Sequence, residues 1–219
     1  MKSRIERTAK LIDKTGIILD IGCGTGDIYD NIKTYSKHFT YIGMDKESAR
    51  LVQSDKSISR ISGDVYHIPL ANSSVESVLL LQVFEHLDRP VDAIREINRV
   101  LKPTGTLILS TNNALYWGEL FTEVVCYVKT LINRLVNGTN KVRRPIIFGS
   151  ELFRRHVFVV TPSSLHTLLH INGFEYNHTI FCDGFPRWNY FIFATFLPFL
   201  MNIQIIKATK MNPSPDYII

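Results

Sequence analysis

Residues 19–26, Leu19-Asp20-Ile21-Gly22-Cys23-Gly24-Thr25-Gly26, place glycine at every second position directly behind an apolar run. Glycine lets a backbone bend sharply and lets a ligand approach where a Cβ would stand in the way. The segment therefore reads as a ligand-binding turn at the carboxyl end of a buried strand, although a tight turn without a ligand would use the same residues. Its spacing is not the Gly-x-Gly-x-x-Gly that seats a pyrophosphate in nicotinamide-binding folds. Asp45 stands 19 residues after Gly26, near the ~20 expected of a carboxylate that accepts from ribose hydroxyls. Capping a helix, through Asp45-Lys46-Glu47-Ser48, is an equal use for it. Gly63-Asp64-Val65 follows a third strand-like segment, where a carboxylate can accept from an adenine amine. Gln82-Val83-Phe84-Glu85-His86-Leu87 ends a fourth with polar groups. His86 is a candidate general base, since free histidine titrates at about pH 6.5; its competing use is to position a helix that begins near Asp88.

Taken in order, these segments resemble the motif series of the class I S-adenosylmethionine-dependent methyltransferases. The stretch 82–111 is similar to the ubiquinone/menaquinone-type small-molecule branch, methyltransferase type 11. The resemblance covers residues 15–112, and Thr104 departs from it, standing in Lys102-Pro103-Thr104-Gly105 where the family has a second glycine. It implies S-adenosyl-L-methionine as cofactor. Asp20, Gly22, Gly24 and Gly26 would then hold its methionine part and Asp45 its ribose. Asp64 and Val65 would hold adenine, Gln82 would line the methionine end, and Cys23 and Lys46 complete the cofactor set. The implied reaction displaces a methyl group in line from a sulfonium, so the protein supplies mainly orientation and desolvation. A base is needed only for a hydroxyl or other weakly acidic acceptor. Glu85 and His86 are placed for that work. His156 resembles a histidine that the branch keeps where the chain returns from its lid; burial in the core is the competing use. No Asn-Pro-Pro-Tyr-type motif follows the fourth strand, which argues against base or amide N-methylation. The expected acceptor is a small molecule or a lipid-linked one, methylated at oxygen or carbon. A non-catalytic cofactor-binding subunit and a methyltransferase acting on protein are the alternatives.

These groups need strands to carry them. Apolar runs at 17–21, 39–45, 58–62, 75–81 and 105–111 alternate with helix-like segments at 3–14, 27–36, 48–53 and 90–101, the last with Val91, Ile94, Ile97 and Leu101 at helical spacing. Strands alternating with helices predict an α/β, doubly wound, mostly parallel sheet. The resemblance makes it a seven-stranded, Rossmann-like sheet of order 3-2-1-4-5-7-6. A helix over 162–172, with Thr161 as cap and Pro162 in its first turn, and strands at 175–181 and 203–209 complete it. The 219 residues fit one domain, 1–219.

The rhythm breaks at 113–160, which is expected to be a helical and basic lid or substrate-binding insertion. Leu115, Tyr116, Trp117, Phe121 and Leu131 belong to a segment, 114–136, that is apolar around most of a helix, and the loop-like 137–157 carries Lys141, Arg143, Arg144, Arg154 and Arg155. An apolar helix beside a basic loop suits an anionic membrane surface or a lipid-linked anionic acceptor; a buried lid is the even alternative. The apolar stretch 191–201 is too short to span a bilayer and contains Pro198. The net charge of +5, with most of its excess beyond Asn112, is too dilute for a nucleic-acid partner. Cys23, Cys126 and Cys182 offer neither a disulfide framework nor a zinc site. With a charged N-terminus lacking an apolar signal region, the expectation is a cytoplasmic protein with no metal, at the inner face of a membrane if residues 114–136 touch lipid.

Overall fold

The computed structural model describes residues 4–12, 15–35, 38–47, 58–114, 160–182 and 203–212. Its first strand, β1 (Gly16–Ile21), shows why the sheet must be covered on both sides. Successive side chains of a strand point to opposite faces, so a strand that is apolar at consecutive positions needs two cores. Ile18 joins one core while Leu19 and Ile21 join the other. Two more strands, β4 (Val75–Leu81) and β5 (Leu101–Asn112), divide in the same way: Leu79 and Ile108 lie on the first side, Val78, Leu80, Leu107 and Leu109 on the second.

With β2 (Phe39–Asp45), β3 (Ser59–Ser62), β6 (Phe174–Cys182) and β7 (Ile203–Lys210), the sheet has seven strands in the order β3-β2-β1-β4-β5-β7-β6, as expected. Strands β1 to β5 pair in parallel, and β7 runs antiparallel between β5 and β6. Helices α1 (Arg4–Leu11) and α2 (Tyr29–Tyr35) supply Ala9 and Ile32 to one core. Helices α3 (Pro90–Val100) and α4 (Pro162–Ile171) supply Ile94, Ile97, Leu165 and Leu169 to the other. Thr161 caps α4 as read from the sequence, its hydroxyl accepting from Ser164 N at 3.1 Å. The strand order reverses between β1 and β4, and that is where a crevice opens beyond the carboxyl ends of the strands.

The fifth strand departs from expectation. It starts at Leu101, straight from α3, rather than after the turn at 102–105. Leu101 is fully buried and pairs with Val75, and pairing resumes at Thr106 with Ser77, so the intervening residues bulge within the strand. The bulge puts Thr104 at φ 63°, a left-handed conformation that costs an L-residue about 1–2 kcal/mol. Thr104→Gly should therefore stabilise the protein by about 1 kcal/mol, the relieved strain less the extra freedom glycine has when unfolded. The check is a urea midpoint that moves upward; an unchanged or lower midpoint would mean that the bulge is not strained.

The 48–53 helix, the segment 115–157 with His156 and Cys126, and the apolar stretch 191–201 lie outside the described residues. Among the described residues no helix is long and apolar enough to cross a membrane, and no three His, Cys, Asp or Glu side chains are grouped to hold a metal ion.

Candidate active site

The glycine turn leaves β1 with Gly22, Gly24 and Gly26 all at positive φ, a region open to glycine at little cost. Two successive amides, Gly22 N and Cys23 N, donate to Met44 O on β2 at 2.7 and 3.2 Å, which ties the turn to the neighbouring strand. The glycines then differ in purpose. A Cβ on Gly22 would sit 2.3 Å from Val83 Cγ2, so this residue is small because the chain beyond β4 packs on it. A Cβ on Gly24 would meet no atom of the described residues within 4 Å.

Asp45 ends β2 beside that turn. Its Oδ2 accepts from Gly24 N at 2.9 Å and its Oδ1 from Glu47 N at 2.8 Å. The carboxylate thus bends the chain that follows β2 and also lines the crevice; the helix it would cap, at 48–53, lies outside the described residues. Each oxygen keeps a second lone pair for another donor.

A cavity of about 510 Å³ occupies the crevice, within the ~300–1,000 Å³ typical of small-molecule sites. Of the residues singled out in the sequence, Gly22, Asp45, Lys46, Asp64, Val65, Gln82 and His86 line it. Asp20, Cys23, Gly24 and Gly26 belong to the strand end and turn beside it rather than to its lining. Asp20 is buried and accepts a hydrogen bond from the Tyr41 hydroxyl. Burial pushes its carboxyl up to about 7, opposed by that hydrogen bond and reinforced by the charges of Asp45 and Asp27. Burial also pushes the Cys23 thiol up to about 12. It stays protonated and packs with its Sγ against Gly43.

Gln82 terminates β4 at φ 56°, a conformation held by its surroundings: its amide N donates to Ser110 O at 2.9 Å, and its Oε1 lies 3.5 Å from Arg4 Nη1 on α1. Strained backbone of this kind gathers at functional sites. Glu85 and His86 follow in a 3₁₀ turn, Phe84–His86, and part company. His86 faces the cavity, whereas Glu85 turns inward, 1% exposed, and accepts from Thr111 Oγ1 at 3.0 Å. The short turn points adjacent side chains in different directions, so the two expected catalytic residues do not share one site. Burial raises the Glu85 carboxyl above its ordinary range. The helix expected near Asp88 begins at Pro90.

At the other end, Asp64 accepts from Tyr66 N at 3.1 Å and pairs loosely with Lys46 Nζ at 3.4 Å, an exposed ion pair of small energetic weight. Sequence reasoning missed what stands beside it. The Tyr66 hydroxyl donates to Asp88 across the cavity rim, and the Arg89 guanidinium lies 4.3 Å over the Tyr66 ring. The only signal was an aromatic residue two positions after Asp64, and nothing in the spacing joins it to Asp88. Tyr41, the partner of Asp20, was missed for the same reason.

The family of methyltransferase domains matches residues 19–109. An uncharacterized methyltransferase-like protein of Schizosaccharomyces pombe is 36% identical over 186 residues, covering 76% of this chain and 68% of that one. A demethylmenaquinone methyltransferase of Thermotoga maritima is 27% identical over 168 residues, 72% of this chain and 69% of its own. Four further curated relatives are longer, and the chain spans 39% to 63% of their length. In fold, the crystal structure of a putative methyltransferase from Bacillus halodurans superposes with a TM-score of 0.67 at 16% identity, over 96% of this chain and 100% of that one.

Proposed function

The chain belongs to the class I S-adenosylmethionine-dependent methyltransferase family, and on that premise we propose that it methylates a small-molecule acceptor at oxygen or carbon, lipid-linked and anionic in the most specific version. The observation that carries the reading is convergence: Gly22, Asp45, Asp64 and Gln82 come from the ends of four different strands and line one cavity. These residues fit the cofactor. Gly24 keeps the turn beside the cavity free of a side chain, and Asp45 offers its remaining lone pairs there. Bound S-adenosylmethionine would supply a methyl group already activated on a sulfonium. In this reading Asp45 binds the ribose hydroxyls and Asp64 with Val65 binds adenine. Gln82 faces the methionine end, and His86 accepts the proton of a hydroxyl acceptor. Glu85, bonded to Thr111, supports the wall behind His86. His156 joins the proposal from the sequence alone.

The test is incubation with methyl-labelled S-adenosylmethionine and a total cell extract, then separation of organic-soluble small molecules from precipitated protein. Label in the small-molecule fraction supports the proposal. Label confined to protein overturns the acceptor class, and no label in either supports a non-catalytic cofactor binder.

The lipid-linked version is supported by the composition of 114–157, where apolar residues are followed by Arg143, Arg144, Arg154 and Arg155. It would place a cytoplasmic enzyme at the inner face of a membrane. Each basic residue near an anionic surface adds about 1 kcal/mol of attraction, screened beyond about 8 Å at physiological salt. The protein should therefore sediment with anionic liposomes at low salt and less so at high salt. Changing the four arginines to serine should reduce sedimentation without altering cofactor affinity. A wild type that stays in the supernatant at low salt would overturn the membrane version and leave the segment as a lid or a dimer contact.

A further inference from the structure

Asp20 is a buried carboxyl group within β1, just ahead of the glycine turn, and the structure gives it a fixed partner. On β2, Tyr41 pairs in register with Ile18 and Gly43 with Asp20, so the Tyr41 side chain reaches diagonally to Asp20 Oδ2. Gly43, directly across from Asp20, leaves the space that Cys23 Sγ fills. Both Asp20 and Tyr41 are at most 4% exposed. Burial pushes the Tyr41 phenol far up, so it remains a donor. One oxygen of Asp20 is thereby committed and Oδ1 is left for a second partner, at a strand end two residues from Gly22 and the cavity.

We infer that Tyr41 is a positioning residue and that the Asp20–Tyr41 pair couples cofactor binding to release of one proton. The inference rests on the cavity being the S-adenosylmethionine site. When the ligand's ammonium group is drawn to the turn, the O–H bond at Asp20 Oδ1 breaks. The proton leaves to solvent, and the carboxylate faces the cation while Tyr41 still donates to Oδ2. The direction follows from the surroundings. Asp45 on β2 and Asp27 in the turn both disfavour the charge on Asp20, and the Cys23 thiol is neutral. The β4 residue in register, Leu79, is apolar. On the helix side α1 presents buried Thr8 and Ala9, with Arg4, Glu6, Arg7 and Lys10 at half-buried or exposed positions, and α2 presents Ile32. A carboxyl whose proton is held to about pH 7 when folded, against an ordinary 3.8, stabilises the empty protein fully below about pH 4, and that stabilisation is lost as pH rises through about 7. A bound cation reverses the preference, so affinity should rise with pH and level off above about 7.

The probe is S-adenosylhomocysteine, which carries the ammonium group and does not react, titrated calorimetrically in buffers of different ionisation enthalpy. Wild type should release up to one proton per site near pH 6, with Kd improving about fivefold from pH 6 to 7 and about twofold more from pH 7 to 8. Asp20→Asn should bind with the same Kd at each of these values and lose that proton release, which also separates Asp20 from His86, the titratable histidine that lines the cavity. Tyr41→Phe removes the hydrogen bond that favours the carboxylate, so its levelling-off should move to higher pH; a purely structural defect would weaken binding equally at every pH. Binding without proton release, or with release unchanged in Asp20→Asn, overturns the coupling alone. No binding by the wild type at any pH overturns the cofactor reading with it.

Discussion

Gly24→Val should weaken binding of S-adenosylmethionine and of its demethylated product at least about a hundredfold while leaving the empty protein folded. The added carbons enter space beside the cavity that no atom of the described residues occupies within 4 Å, and on the proposed reading the group they displace is the ligand. Overfilling a packed site costs about 1–3 kcal/mol even where the surroundings relax, and about 2.8 kcal/mol is a hundredfold in Kd. The fold loses only the strain of a branched residue at φ 55°, about 1–2 kcal/mol. Gly22→Val is the contrasting variant. Its Cβ would stand 2.3 Å from Val83 Cγ2, so it should lower the melting temperature of the empty protein much more. Calorimetry and thermal unfolding on both variants separate a cradle from a hinge. Retained affinity in Gly24→Val would mean that the turn does not hold the ligand.

Asp45→Ala should have two effects at once. Removing an acceptor from the ribose hydroxyls costs about 1–3 kcal/mol of cofactor binding. The same change takes the acceptor from Gly24 N and Glu47 N, at about 1 kcal/mol for each hydrogen bond lost, so the empty protein should also melt lower. Asp45→Asn keeps one carbonyl acceptor and the shape of the side chain. It should recover part of the melting temperature and less of the affinity, because its amide NH₂ meets the backbone and ribose donors as a donor itself. If calorimetry shows unchanged affinity in Asp45→Ala, the ribose assignment is wrong, whatever happens to the melting temperature.

The sheet was legible because its signals are local. Consecutive apolar residues at 17–19 and 78–81 demand burial on both faces, and alternating segments imply parallel pairing. The tight turn was legible because glycine at 22, 24 and 26 reports backbone conformation directly. What escaped depends on register across the sheet. Nothing near Tyr41 in sequence says that its hydroxyl reaches Asp20, since that follows from Ile18 lying opposite it. The parting of Glu85 from His86 follows from a three-residue turn whose direction no periodicity records. The early start of β5 follows from the burial of Leu101 against Val75, which overrides the turn signal of Pro103 and Gly105.

The central claim is that this crevice holds S-adenosylmethionine, and titration of the wild-type protein with S-adenosylhomocysteine at pH 8, beside Gly24→Val at the same concentration, tests it most directly. The expected result is saturable binding at one site per chain in the wild type and no measurable heat in the variant. Saturable binding of equal affinity in both proteins, or none in the wild type, would contradict it.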